Sequence, residues 1–378
     1  MRFSMISAAF VASFAGFGAS VALLVAAAVA VGATPAETVS WIAAVSVAKG
    51  VASAGLSLWT RLPVVLAWST PGAALIGATA GLTLAEAVGA FLLAGILIAL
   101  TGLVPWLSRL VAAIPKEIAA AMLAGVLLPF VLAVATSIVG LPALVAPIVL
   151  VFLVARLFNP LAAVLAALAM GVILVFLGQP FPALSLNPQP FIVTLPEFSP
   201  AVLIGLGVPL YLVTMASQNL PGFSVMRAYG YEPPVEKSLV VTGFGSALVS
   251  FLGAHPFNMA AITAAICLGP DVHPDKAQRW RVGVFYGGMW ILIGVATPAL
   301  LPLLSAMPGE VIATIAGLAL IAPLIGALHQ AMEVEAARFN AVVTFAVTAS
   351  GMSLLGVGAA FWGLAIGLAL TLLDRVRR

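Results

Sequence analysis

The side chains that could do chemistry in this chain are few, and carboxylates are not among them. Ser217-Gln218-Asn219 sets two amides side by side just before Leu220-Pro221-Gly222. An amide both donates and accepts hydrogen bonds, and packing seldom needs two together. Gln218 is therefore read as ligand-binding, with Asn219 beside it as a structural partner. His255 precedes Pro256 in AHPFNMAAITAA (254–265). Its ring titrates nearest physiological pH and suits a proton carrier, or it is a neutral imidazole capping backbone groups at a helix break. Lys49 stands alone in an apolar stretch, where it either snorkels to the inner headgroups or attracts an anionic substrate. His273 and His329 read as solvated. All twelve acidic residues lie in expected loops or at helix ends, which argues against a cation site built from carboxylates. The single cysteine, Cys267, rules out an internal disulfide or a cysteine metal cluster. No H-E-x-x-H, G-x-S-x-G or Walker run is present, so no catalytic cluster, metal site or cofactor is expected.

The elements that hold these residues follow from composition. Of 378 residues 63% are apolar and 7% charged, with a mean hydropathy of +1.23. Soluble chains carry about 25% charged residues, so this one belongs in lipid. The apolar run Ile6–Val31 is far longer than the roughly 7–15 residues of a signal-peptide core and reads as a retained first membrane helix. Turn residues and the rare charges divide the chain into fourteen expected segments, each measured against the roughly 20 apolar residues a span needs. They lie near 6–32, 36–58, 63–82, 84–105, 117–139, 142–157 and 160–178, then 200–220, 236–253, 255–269, 281–304, 309–329, 339–355 and 357–373. With the N-terminus inside, every basic residue except Lys49 falls at an inner end or loop, from Arg2, Arg61 and Arg109 to Arg375, Arg377 and Arg378. The outer loops carry only Glu37, Glu86, Glu197 and Glu310. This positive-inside pattern predicts an inner-membrane, multi-pass chain with both termini cytoplasmic.

The Pro-rich stretch 179–199 is expected to be an external linker between halves of seven segments, which makes the halves inverted repeats. ATPAE (33–37) and YEPPVE (231–236) echo one another. So do Leu62-Pro63 and His255-Pro256, each leading a broken segment. Both broken segments read as a short extended piece followed by a half-helix. The first is capped by Ser69 or Thr70 with Pro71 and Gly72 behind; the second is capped by Asn258. Two facing half-helix N-termini would form an anion site without a basic side chain. Trp68, just before the first half-helix, could wall a ligand pocket. Ser13, Phe17, Gly18 and Ser20 form a small-residue face that admits a ligand or, more simply, another helix.

At GATPAETVSWI (32–42), RLPVVLAWSTPGAALI (61–76), MASQNLPGFSVMRAYGY (215–231) and FLGAHPFNMAAITAAICLG (251–269) the chain resembles the benzoate/proton symporters (BenE-like), within the fold of the uracil, nucleobase and sulfate transporters. The resemblance implies an all-α membrane fold of two inverted seven-helix repeats with discontinuous segments 3 and 10. It also implies core helices in 1–108 and 200–305 and gate helices in 109–178 and 306–378. Substrate would bind between the half-helices, beside segment 8, at Phe17, Gly18, Trp68, Ser69, Thr70, Gly72, Gln218, Asn219, Phe257, Asn258 and Met259, with His255 and Lys49 as proton-coupling candidates. Nucleobase relatives place a carboxylate where this chain has Gln218; a neutral amide suits an anion better, and its presence leaves the proton acceptor open. The implied function is import of benzoate or a similar aromatic anion with a proton, not enzymatic, with no nucleic-acid partner and a homodimer left open. The rivals are another substrate on the same fold, such as a nucleobase or inorganic anion, or a passive anion channel.

Overall fold

Long apolar runs leave the backbone only its own hydrogen bonds in lipid, and the chain meets that demand almost entirely with helices. The computed structural model describes residues 3–79, 81–177 and 189–377. The first half holds α1 (Phe3–Gly18), α2 (Val21–Ala30), α3 (Pro35–Thr60), β1 (Leu66–Trp68), α4 (Thr70–Gly77), α5 (Leu84–Leu103), α6 (Pro105–Ala112), α7 (Lys116–Gly140), α8 (Pro142–Phe158) and α9 (Pro160–Val175). In the second half α10 (Pro200–Val202), α11 (Val208–Thr214) and α12 (Leu220–Ala228) run as one rod through two π-turns, Leu203–Gly207 and Met215–Asn219. There follow α13 (Val235–Ser250), β2 (Phe257–Met259), α14 (Ile262–Leu268), α15 (Trp280–Ser305), α16 (Gly309–Met332), α17 (Arg338–Ala349), a small ribbon of β3 (Ser353–Leu354) and β4 (Val357–Gly358), and α18 (Ala359–Arg377). Among the described residues seven stretches are long and apolar enough to cross a membrane, and three shorter apolar helices accompany them. Large apolar side chains such as Val139, Leu157 and Phe158 lie exposed on the outside, where lipid replaces water.

Three segments differ from expectation. The first is interrupted at Gly18–Ser20, where α1 gives way to α2. The thirteenth stops at Ala349 rather than near 355, because Gly351, Leu355 and Gly356 take positive φ values that suit the β3–β4 ribbon and not a helix. The tenth begins its helix at Ile262 with Ala261 at the cap, so Asn258 is not a capping residue: it lies inside β2. Of the expected linker, 179–188 lies outside the described residues. Residues 189–199 are without helix or strand and tie the ends of α3, α13 and α5 together: Ile192 N–H donates to Ser40 Oγ, Thr194 N–H to Phe251 O and Glu197 N–H to Ala85 O.

The halves pack as inverted repeats. α3 packs on α15 and α5 on α13, which are the same interface generated twice; α7 on α16 and β1 on β2 are contacts between equivalents. Sequence marks this symmetry at constant spacing: Gly50 and Gly243, Ser53 and Ser246, Pro63 and Pro256. Both glycines sit where helices touch backbone to backbone. A Cβ on Gly50 would come 2.6 Å from Gly287 O, and one on Gly243 would come 2.2 Å from Ala99 N. Both serines grip the residue after the proline: Ser53 Oγ donates to Val64 O at 2.6 Å and Ser246 Oγ to Phe257 O at 3.3 Å. In the β1–β2 ribbon Leu66 pairs with its own counterpart, Met259, so the pseudo-twofold axis passes through that pair. α3, α12 and α13 pack against the ribbon, while α7–α9 and α16–α18 pack mainly on one another.

Candidate functional site

The ribbon is the centre from which the site is built. Pro63 and Pro256 prevent helix at the two crossings, and the freed backbone groups then pair across the axis. Beyond the strands the pairing continues: Ser69 N–H donates to Pro256 O at 3.0 Å and Ala260 N–H to Val65 O at 2.9 Å. Ser69 caps α4, its Oγ accepting from Gly72 N–H at 3.2 Å and sharing a hydrogen bond with Thr214 of α11 at 2.8 Å. With Ala73 N–H donating to Ser69 O and Pro71 lacking a donor, the first turn of α4 has little left for a ligand. The uncapped end is that of α14, where Ala261 offers no side-chain bond.

Lys49 does not snorkel. It is fully buried, and its Nζ lies 3.5 Å from the Trp68 ring centroid and 3.1 Å from that of Trp290, with no hydrogen-bond partner. The two indoles meet edge to face at 4.9 Å, and Phe17 closes one side, 6.1 Å from Trp68 and 6.5 Å from Trp290. Trp68 is held by its Nε1–H donating to Ser20 Oγ at 2.7 Å, and Ser20 Oγ in turn donates to Gly16 O. The break in the first segment therefore serves to anchor an indole. Aromatic faces attract an ammonium electrostatically. They supply none of the hydrogen bonds its three donors require.

His255 is fully buried, and its Nδ1 accepts from Trp41 Nε1–H at 2.9 Å. Its Nε2, beside the Ser69 backbone, makes no hydrogen bond of normal geometry. One ring nitrogen thus meets an indole and the other lies beside the backbone at the helix break. Asn258 is buried with both side-chain atoms unpartnered. Asn219 acts as the structural amide expected of it: Oδ1 accepts from Met259 N–H at 3.0 Å and Nδ2 contacts Met215 Sδ. Phe257 points its ring at Gly245 of α13, and Met259 packs against Gly222 of α12. Both are fully buried, so neither presents an open face.

The expected ligand residues that remain half-buried are Phe17, Thr70 and Gln218. Gln218 sits in the π-turn Met215–Asn219, whose widened backbone pushes its residues outward from the rod. Next to it Ser217 and Ala216 line a cleft of about 410 Å³ with Val213, Leu220, Pro221 and Ser224 on one wall and Lys116 and Leu123 of α7 and Gln330 of α16 on the other. Gly72 is buried against Leu210 and Ser69. Gly18 faces α9: a Cβ there would lie 2.1 Å from Leu165, so its smallness serves helix packing. Ser13 is buried with an unpartnered hydroxyl.

Sequence reasoning passed over Trp290, Trp41, Thr214 and Tyr286, whose hydroxyl donates to Leu66 O at 2.9 Å. The two tryptophans are fully buried among helices. For Trp290 the mid-segment position was the available signal, since an interfacial tryptophan belongs near a span's end; Trp41, in the second turn of α3, gave none.

The chain matches the family described as "Benzoate membrane transport protein" (BenE) over residues 1–373. It is 42% identical over 363 residues to the inner membrane protein YdcO of Escherichia coli (strain K12), covering 95% of this chain and 93% of that protein. It is 35% identical over 339 residues to the benzoate membrane transport protein of Acinetobacter baylyi (strain ATCC 33305 / BD413 / ADP1), covering 87% and 84%. In fold it resembles the transmembrane domain of the cyanobacterial bicarbonate transporter BicA, with a TM-score of 0.56 at 15% identity over 97% of this chain and 98% of that one. It also resembles the murine anion transporter Slc26a9, at 0.59 and 12% over 98% and 68%. A multi-pass membrane fold carrying this match over nearly its full length is a transport protein and not an enzyme, and the chain belongs to the benzoate membrane transport protein family.

Proposed function

We propose that this transporter imports a small aromatic carboxylate, benzoate, together with a proton by alternating access, crossing the inner membrane fourteen times with both termini in the cytoplasm. One observation carries the reading. Buried polar atoms without protein partners gather at the ribbon: Lys49 Nζ, both atoms of the Asn258 amide, His255 Nε2 and Trp290 Nε1. Buried polar groups are nearly always bonded, so a cluster of exceptions beside aromatic rings fits a ligand with an anionic head and an apolar ring. Among the described residues no carboxylate accompanies it, which suits an anion. Gln218 donates to the carboxylate from the half-exposed π-turn, Asn258 from the ribbon, and Phe17 and Trp68 cover the ring. The cleft beside Ser217 is the way in, and core moving against gate moves the access. The boundaries near 108 and 305 separate core from gate.

The test is benzoate accumulation by full-length protein in liposomes under an imposed proton gradient. Uptake above equilibrium that collapses with a protonophore supports symport; benzoate flux that never exceeds equilibrium means a channel. Binding of a nucleobase or inorganic anion in place of benzoate would refute the substrate. The topology has its own check. In a Cys267→Ala background, Glu197→Cys should label with an impermeant thiol reagent on intact cells and Asp275→Cys should not; the reverse order refutes the orientation.

A further inference from the structure

We propose that Lys49 is the residue that takes up the co-transported proton, resting as a neutral amine between Trp68 and Trp290 when the site is empty and pairing as an ammonium with the substrate carboxylate when it is full. This rests on the benzoate reading and names the coupling group within it. Among the described residues Lys49 is the fully buried basic side chain that has neither an ion pair nor a hydrogen bond. Arg279, also buried, is bound to the carbonyls of His273, Leu268 and Pro274 and caps the end of α14. A buried ammonium without a counter-ion is costly, and two indole faces offset part of that cost without supplying acceptors. An arriving carboxylate supplies both the opposite charge and the acceptors. The bound anion and the bound proton then stabilise one another, which is coupling in the thermodynamic sense.

The groups facing Lys49 leave no nearer candidate. His255, ahead of β2, lies within electrostatic reach, but its Nδ1 is occupied by the Trp41 N–H, and a second proton would require breaking that bond. Tyr286 of α15 packs on Trp290 and donates to Leu66 O, and Cys267 of α14 is buried near Tyr286. β1 and α2 carry no titratable side chain. α13 has Glu236 and Lys237 in its first turn, at the far end by Trp59. On α3 itself Glu37 closes a capping box with Thr34, and Arg61 lies over Trp280. Electroneutrality favours the same residue. A core that swings with Lys49 neutral when empty and ion-paired when loaded never drags an uncompensated charge past the gate.

The experiment measures proton uptake by the full-length detergent-purified protein on adding benzoate in weak buffer, beside benzoate affinity against pH and transport in liposomes. Wild type should take up about one proton per benzoate, with affinity weakening about tenfold for each unit rise around neutral pH, the slope of one linked proton. Lys49→Gln should lose that proton and at least about tenfold in affinity, because it removes one partner of a buried charge pair. Lys49→Arg keeps a permanent charge. It should bind and exchange benzoate without proton uptake and fail at net accumulation, since its empty form returns charged. Benzoate binding by wild type with no proton uptake overturns the inference by itself, even if neither variant folds, while leaving the substrate reading intact. Wild-type proton uptake preserved in Lys49→Gln also overturns it and moves suspicion to His255. No benzoate binding by wild type sinks the substrate reading and the inference together.

Discussion

The two broken segments that meet at the β1–β2 ribbon start from one design and are finished differently. Each has a proline, a three-residue strand, a serine reaching in from the equivalent helix and a short helix beyond. In the first, every loose end is tied: Ser69 caps α4 and meets Thr214, and Trp68 is pinned by Ser20. In the second, α14 has no side-chain cap and Asn258 has no partner, where its counterpart in the first repeat is Val65, an apolar residue. The helices show a similar divergence. Lys49 occupies the position that Thr242 holds in the other repeat, each next to a contact glycine, and Thr242 bonds back to Ser238 O at 2.7 Å. Inverted repeats are a common way to build a transporter around a central site. Departures from the repeat are where a ligand can be recognised, because a strictly symmetric centre would satisfy itself.

That contrast can be broken in several places. Between the two ribbon arms the largest effect on binding is expected from Asn258→Ala, which should weaken benzoate binding by about 1–3 kcal/mol through loss of a partner to a charged group. Val65→Ala, at the equivalent position, should leave affinity unchanged; equal effects in a titration of both purified variants would mean the arms do not differ. Gln218→Ala follows at about 1 kcal/mol, less because its amide is half-buried and water competes for it. For stability, Ser246→Ala should cost more than Ser53→Ala, about 1–3 kcal/mol against about 1 kcal/mol or less, because Phe257 loses the partner of both its N–H and its carbonyl while Val64 O keeps the bond from Ser57 Oγ. Equal losses in thermal unfolding of the two variants would show that the second serine bond at Val64 carries no weight. Ser69→Ala removes the cap that α14 lacks and should cost about 0.5–2 kcal/mol of stability, with a smaller loss of benzoate affinity than Asn258→Ala. Ser353→Ala, in the exposed β3–β4 ribbon, should alter neither.

Much of this was legible in the residues themselves. The paired X-Pro dipeptides did mark the two breaks, and ATPAE marks a real start: Thr34 and Glu37 close a capping box at α3, while YEPPVE precedes the equivalent α13 without one. These are local effects, set by a missing N–H or a side chain within one turn, and they need no distant partner. The prospective roles read from type alone fared unevenly. Asn219 is the structural amide expected, Gly18 packs on α9 as the simpler reading of the small-residue face had it, and Gln218 is half-buried, but Asn258 is no cap.

The sequence by itself determined that the chain lives in lipid, where its helices break, and that its polar residues are too few to be accidental, because hydropathy, proline and capping act within a few residues. Only the tertiary structure decided which of those polar residues meet. Lys49 and Trp290 lie far apart in the chain and come together because Gly50 and Gly287 let α3 and α15 close to backbone contact. Whether a lysine snorkels to water or is enclosed between two indoles depends on that approach, and no local pattern records it.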